Sequence, residues 1–255
     1  MIFYFSGTGN SKYVAERLGK LLDERTVSIA SVMKDGNDDN IKDTVKDMIA
    51  DDVVGIVAPV YMFGLPSIVI EFISSVKLKS KKVFTVMTYG GVPADASAML
   101  RKELVKRGAE VTHSFEIRMP DNYVPIYRVP DEDVQEKLFK SADIAIDKIP
   151  ERLKKDKDLK KRSLPGRVMS FLFYGIYGRR NTKEFKVTKK CNGCGKCEKI
   201  CPVNMISMDG GKPTWEPGKC IKCLACVHRC PTAAIQIGKS KKHGRYVNPN
   251  VKFDD

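Results

Sequence analysis

Ile2-Phe3-Tyr4-Phe5-Ser6-Gly7-Thr8-Gly9-Asn10-Ser11 begins with a short apolar run, passes into a loop of small residues and enters the helix-forming stretch Lys12-Tyr13-Val14-Ala15. A strand, a small-residue loop and a helix N-terminus make an anion cradle, because consecutive backbone N–H groups converge on one point at the positive end of the helix. Glycine lets the backbone approach closely, and the hydroxyls of Ser6, Thr8 and Ser11 with the side-chain amide of Asn10 add short donors. No Lys or Arg is needed. A dinucleotide fingerprint would require glycine where Lys12 stands, and the triphosphate pattern G-x-x-x-x-G-K-[ST] is absent. The loop therefore suits a monophosphate. A plain capped helix start would also explain six such residues taken alone, so the rest of the first 155 residues must decide.

Those residues alternate apolar runs with amphipathic segments in five strand-helix units, which indicates a doubly wound parallel α/β sheet. The strands are expected at Ile2 to Phe5, Thr26 to Ala30, Val53 to Ala58, Val83 to Thr88 and Val111 to Ile117. The helices are expected at 10–23, 39–50, 66–76, 94–107 and 131–152. The opening loop resembles the FMN phosphate loop of the flavodoxin family, [ST]-x-T-G-x-[ST], through Ser6, Thr8, Gly9 and Ser11. The resemblance implies a flavodoxin-like five-stranded sheet of order 2-1-3-4-5 and FMN as cofactor, bound beyond the carboxyl ends of the strands near the switch between strands 1 and 3. Two further loops would then hold the flavin ring: Pro59, Val60, Tyr61, Met62, Phe63 and Gly64 after the third strand, and Thr88, Tyr89, Gly90 and Gly91 after the fourth. A flat ring needs an apolar or aromatic face and backbone N–H groups at its polar edge. Tyr61 and Tyr89 are the expected stacking residues, with Gly64, Gly90 and Gly91 allowing backbone approach. The stiff stretch Met119 to Pro125 would form a wall or lid. Trp215, the single tryptophan, lies far along the chain and cannot be the stacking indole common in flavodoxins.

All eight cysteines fall in two runs of the form C-x2-C-x2-C-x3-C-P, at Cys191, Cys194, Cys197, Cys201-Pro202 and at Cys220, Cys223, Cys226, Cys230-Pro231. The runs align as an internal repeat, which chance rarely produces around a metal half-site. A disulfide framework belongs with a secretory start, and Met1 to Phe5 offers neither a basic region nor a long apolar one. Zinc would use paired C-x2-C knuckles and leave the third cysteine and the Cys-Pro ending without purpose. The runs resemble those of bacterial ferredoxins with two 4Fe-4S clusters, in which three closely spaced cysteines clasp one cluster and the fourth reaches the other. On that rule Cys191, Cys194, Cys197 and Cys230 hold one cluster, and Cys220, Cys223, Cys226 and Cys201 hold the second.

The expected organisation is a flavodoxin-like domain at 1–155, a basic and aromatic linker at 156–182, a small α+β two-cluster ferredoxin-like domain at 183–240 and a polar tail at 241–255. About 60 residues cannot build an adequate apolar core unaided, so the clusters would serve as the core of the second domain. Within it, Phe185 to Thr188 is expected to pair with Ile235 to Ile237, and Met205 to Met208 with Lys212 to Trp215 around Asp209-Gly210-Gly211. His228 is expected on the surface, and the tail from Lys239 onward is assigned no chemistry. No apolar run reaches the roughly 18 residues of a membrane-spanning helix.

Charge is distributed unevenly. Residues 1–155 hold 23 Lys and Arg against 23 Asp and Glu, whereas residues 156–255 hold 22 against 8. The excess favours an anionic partner. Nucleic acid is disfavoured because no binding motif or aromatic-basic interleaving accompanies the lysines; an acidic redox protein fits better. Residues 153–162 are strongly basic, and Leu164 to Tyr177, with Phe171, Phe173, Tyr174 and Tyr177, is too apolar for a bare linker and is expected to pack between the domains. Contact with a membrane surface is the alternative use of this stretch.

As a whole the chain resembles flavodoxin-ferredoxin fusion proteins of anaerobic bacteria and archaea. That implies a cytoplasmic electron-transfer flavoprotein working where oxygen is scarce. Three roles compete: a carrier between redox partners, an FMN-dependent reductase of a small acceptor (quinone, nitro compound or enone), and a sensor or assembly scaffold. A reductase needs a proton donor at the flavin, for which only Tyr123, Tyr61 and His113 are available, so the carrier leads. No NAD(P) fingerprint is present.

Overall fold

The computed structural model describes residues 1–35, 53–76, 78, 81–160, 164–177, 182–218 and 220–253. Its first part is an all-parallel five-stranded sheet of order β2-β1-β3-β4-β5, made of β1 (Ile2–Tyr4), β2 (Thr26–Ser28), β3 (Val53–Pro59), β4 (Lys82–Tyr89) and β5 (Glu110–Arg118). Strand β1 is interior, next to the edge strand β2: Ile2 faces Thr26 on one side and Gly55 on the other. Alternation along the strands divides the core between two faces. Phe3, Phe5 and Ile56 join Phe72, Met87 and Leu100 on one face, while Ile2 and Val57 join Val14, Leu18, Phe115 and Ile146 on the other.

Helices α1 (Asn10–Leu22), α2 (Ile29–Asp35), α3 (Ser67–Ser75), α4 (Ala96–Lys106) and α5 (Glu132–Asp147) flank the sheet. Two expected boundaries are corrected. The second strand does not continue to Ala30, because the Ser28 hydroxyl accepts the Ser31 amide at 3.3 Å and starts helix α2, which turns Ile29 fully into the core. The helix expected at 131–152 breaks at Lys148 into α5 and α6 (Ile149–Leu153), because Pro150 has no N–H for the carbonyl one turn back. The helix expected at 39–50 lies outside the described residues.

Helix α7 (Leu164–Tyr177) leads to a smaller α+β part. There β6 (Lys186–Val187) pairs antiparallel with β9 (Ile235–Gln236), β7 (Ile206–Asp209) forms a hairpin with β8 (Lys212–Trp215), and single turns α8 (Lys196–Lys199) and α9 (Ala225–His228) carry cysteines. Its core is built around Cys201, Cys220 and Cys226 with Phe185, Met205, Ile206, Val227 and Ile237, and Val124 of the first part joins it. Trp215 stacks on Phe185 with centroids 5.1 Å apart. After α10 (Ser240–His243) the chain returns to the first part, where the Asn248 amide donates to the Thr8 carbonyl at 2.8 Å. No helix among the described residues is long and apolar enough to cross a membrane.

Candidate cofactor sites

The loops after β1, β3 and β4 converge at the carboxyl edge of the sheet around a cavity of about 600 Å³. Ser6, Gly7, Thr8, Asn10, Ser11, Pro59, Val60, Tyr61, Met62, Phe63, Thr88, Tyr89, Gly90 and Gly91 line it, joined by Pro120, Asp121, Asn122 and Tyr123 from the loop after β5. Gly9 and Gly64 do not. Gly9 is the corner before α1, with φ of 104°, and a methyl group there would stand 2.7 Å from Val251 and 2.8 Å from Asn248. At Gly64 a methyl group would stand 2.3 Å from the Tyr174 ring, so this glycine admits α7, where a flavin approach was expected.

The first loop presents hydroxyl donors. Ser6 Oγ accepts the Gly9 amide at 3.0 Å and Thr8 Oγ1 accepts the Asn122 side-chain amide at 2.7 Å, which leaves each hydroxyl proton free to donate. Ser11 Oγ and Thr88 Oγ1 share one bond of 2.7 Å, so one of their two protons remains. The Asn10 side chain, expected to face an anion, is engaged elsewhere: its Nδ2 donates to the Pro120 carbonyl at 3.0 Å, and its Oδ1 accepts from Tyr246 Oη at 2.6 Å and Asn248 Nδ2 at 3.1 Å. This network corrects the reading of the tail as without chemistry. It was missed because Asn10 and Tyr246 are 236 positions apart and no local pattern joins them.

After β3, Tyr61 and Gly64 exchange two backbone bonds of 3.0 Å around Met62 (φ 46°) and Phe63 (φ 67°). Two consecutive left-handed residues make a turn usually built from Asn and Gly; with ordinary side chains each costs about 1–2 kcal/mol. Helix α7 helps hold this strained turn. Ser170 Oγ donates to the Phe63 carbonyl at 2.7 Å and accepts the Asp95 amide at 3.2 Å, Tyr174 Oη donates to the Leu65 carbonyl at 2.7 Å, and Phe173 packs on Phe63 with centroids 5.4 Å apart. Met169 and Phe173 complete the cavity wall. The Tyr61 ring meets Phe5 edge-on, and burial pushes its hydroxyl well above the ordinary tyrosine pKa; burial likewise raises Tyr123. His113 is buried on β5 outside the cavity lining, with neither ring nitrogen hydrogen-bonded, so it cannot serve as a donor there.

The cysteines sort into two hollows along the crossed partition. Cys191, Cys194, Cys197 and Cys230 line one with Met208, Pro213 and Ile235; Cys201, Cys220, Cys223 and Cys226 line the other with Phe185, Met205 and Trp215. A single tetrahedral ion would draw its sulfurs to about 3.8 Å from one another. Among the described residues no three His, Cys, Asp or Glu side chains are gathered for a single ion. Four thiols around each hollow, with no His or carboxylate in the wall, fit a cuboidal iron-sulfur cluster. Burial raises the pKa of Cys197, Cys226 and Cys223, the last to about 12. At Cys230 burial is outweighed by amides, with Ala234 donating at 3.3 Å, and by the Thr232 hydroxyl, and its pKa falls.

The second hollow abuts the cavity. A methyl group on Gly7 would stand 2.6 Å from the Cys223 carbonyl oxygen, and Lys222, Cys223 and Leu224 line the cavity itself. His228, expected at the surface, is 4% exposed: its Nδ1 accepts the Tyr246 amide at 3.0 Å, so its Nε2 carries the proton and donates to the Asn122 carbonyl at 2.9 Å. Burial lowers its pKa to about 4, which keeps this neutral tautomer.

Comparison with known proteins adds three findings. Residues 1–142 match the family model described as a flavodoxin domain, and residues 190–234 match a 4Fe-4S dicluster domain. The chain is 34% identical over 59 residues to an Escherichia coli protein, YsaA, named for a proposed role in electron transport, covering 22% of this chain and 38% of that protein. It is 43% identical over 47 residues to one component of an ion-translocating oxidoreductase complex of Methanosarcina acetivorans, covering 18% of each, so the chain spans well under half of either relative. An uncharacterized ferredoxin of Methanocaldococcus jannaschii is 34% identical over 68 residues, covering 25% of this chain and 88% of that one. Among solved structures, the two-electron reduced flavodoxin of Megasphaera elsdenii aligns at 24% identity and a TM-score of 0.37, covering 48% of this chain and 89% of that one.

Proposed function

The chain belongs to the flavodoxin domain family through residues 1–142 and carries a 4Fe-4S dicluster domain at 190–234, and from that premise we propose that it transfers electrons through one FMN and two 4Fe-4S clusters to a redox protein partner. When bound, a 4Fe-4S cluster exchanges one electron at a time and a flavin one or two, which is the chemistry these groups supply. The observation that carries the reading is the contact between Gly7 and Cys223, which brings the second hollow against the anion loop.

The residues divide the work. Ser6 to Ser11 would hold the FMN phosphate through loop amides and the hydroxyls of Ser6, Thr8 and Ser11. Pro59 to Phe63 and Thr88 to Gly91 would hold the ring, and Tyr123, Met169 and Phe173 would exclude water from it. Cys191, Cys194, Cys197 and Cys230 would ligate the outer cluster, whose Cys194 is exposed; Cys220, Cys223, Cys226 and Cys201 would ligate the inner one, where Cys201, Cys220 and Cys226 are buried. Cys201 and Cys230 cross between the runs, so neither cage forms without the other. Exposed Lys189, Lys190, Lys199 and Lys212 accompany the outer cage in sequence and support an acidic partner there.

A second reading, reduction of a quinone, nitro compound or enone, draws on the part of the cavity formed by Ile126, Tyr127, Met169 and Phe173. The carrier is favoured because burial holds Tyr61 and Tyr123 above the ordinary tyrosine pKa and His113 lies elsewhere. Anaerobic purification with iron, sulfide and flavin analysis tests the reading: about eight irons and one FMN per chain are expected. Four irons would overturn the paired cages, and clusters without flavin would overturn the assignment of Ser6 to Ser11.

A further inference from the structure

Helix α7 has two unlike faces. Ser170 and Tyr174 pin one face to the loops after β3 and β4. On the other, Leu164 (71% exposed), Val168, Phe171 (84% exposed) and Leu172 stand at spacings of four, seven and eight, which places them in a single stripe. Nothing among the described residues covers it. The hydrogen bonds of the inner face prevent the helix from rolling this stripe inward, so the exposure is built into the fold. Contiguous exposed apolar surface of this kind marks an interaction site.

We propose that the outer face of α7 docks on an anionic lipid bilayer, with the helix lying in the interface. Charge identifies the occupant. Exposed Lys154, Lys155, Lys157 and Lys160 precede the helix, Lys161 and Arg162 follow them in sequence, and Arg179 and Arg180 come just after the helix ends. The acids among and beside them are Glu151, paired with Lys154 at 2.7 Å, Glu110, 3.9 Å from Lys157, Asp156, and Asp158, paired with Arg152; Lys155 and Lys160 leave the segment with a positive excess. The helix itself carries one charge, exposed Arg167. The described approach to the helix is thus basic, and pairing two copies in parallel along the stripe would set like charges against each other. An anionic headgroup layer neutralises the lysines before the helix and Arg167 within it, while Phe171, Leu172, Val168 and Leu164 enter the acyl boundary. At 14 residues the helix is too short to span and lies on the surface instead. Phe173, beside the stripe, is also a cavity wall and 41% exposed, so docking sets the mouth of the cavity next to lipid.

The test is sedimentation of the complete holoprotein with vesicles of phosphatidylglycerol and phosphatidylcholine, or of phosphatidylcholine alone. Binding to the anionic vesicles should fall at least about tenfold on pure phosphatidylcholine, in high salt, and in the double variant Phe171→Asp with Leu172→Asp. Neither residue lines the cavity, so the variant should keep its flavin and cluster absorption, which verifies its fold. A second variant, Lys154→Gln, Lys155→Gln, Lys157→Gln and Lys160→Gln, should lose binding to anionic vesicles with the stripe intact. Failure of the wild type to sediment with anionic vesicles overturns the proposal, as does equal binding by the Asp variant. A dimer in solution that the Asp variant dissolves would also overturn it, by making the stripe an interface between copies.

Discussion

The two cysteine runs share a backbone but not an environment. In the first, left-handed positions fall on Gly193 (φ 72°) and Gly195 (φ 71°); in the second, the equivalent positions are Lys222 (φ 48°) and Leu224 (φ 58°). Asn192, Glu198 and Lys199 of the first are exposed, whereas their counterparts Ile221, Val227 and His228 are 2%, 0% and 4% exposed. A cage of this shape requires only cysteines and two left-handed turns, which glycine supplies without strain. The second run accepts a cost of about 1–2 kcal/mol at each turn where its side chains, Lys222 and Leu224, line the cavity. One half-site is finished for solvent, the other for the loops of the cavity.

The largest effect tests what both halves share. Chelating the iron anaerobically should unfold residues 183–240, because Cys201, Cys220 and Cys226 belong to the buried core of that part and Cys201 and Cys230 tie the two hollows together, while residues 1–153 remain folded around their own apolar core; limited proteolysis would read this directly. Persistence of the small part without iron would break the comparison at its root. Exchanging residues between equivalent positions comes next. Val227→Glu buries a carboxylate with no partner and should cost about 3–5 kcal/mol in denaturant melts. Its mirror, Glu198→Val, loses only the carboxylate that accepts the Met208 amide at 3.2 Å and should cost about 1 kcal/mol.

Gly7→Ala probes the junction. Its methyl group would collide with the Cys223 carbonyl, and a resulting strain of about 1–3 kcal/mol should weaken FMN binding about 10–100-fold, measured by flavin fluorescence, with iron content unchanged. Charge reversal at Lys222, whose ammonium lies 3.3 Å from Glu184, has the smallest effect. Lys222→Glu should lower the inner cluster potential by about 30–60 mV, up to a tenfold shift in a one-electron equilibrium, and the outer potential by less. Equal shifts in a potentiometric titration would show that the two cages are not distinguished by their surroundings.

The cages and the sheet were legible because their signals are local. Cysteine spacing indicated which four sulfurs line each hollow, and near-continuous apolar runs in β3 and β4 marked strands buried on both faces. The boundary errors at Ser28 and Pro150 came from single residues whose hydrogen-bonding capacity overrode an apolar pattern. What sequence could not reveal depended on distant partners. His228 reads as a surface residue until Asn122 and Tyr246 enclose it. Gly64 and Ser170 acquire their roles only because α7 returns to the loop after β3. The tail reads as polar filler until Asn248 reaches Thr8 and Asn10.

The adjacency of the inner cage and the flavin loops can be probed by adding a substoichiometric amount of dithionite to the oxidised holoprotein in a stopped-flow instrument and following the cluster and flavin bands. Electrons should redistribute between the two sets of bands at a rate independent of protein concentration, as transfer within one chain requires. A rate proportional to protein concentration, or bands that change without reference to one another, would contradict that adjacency as the route of transfer.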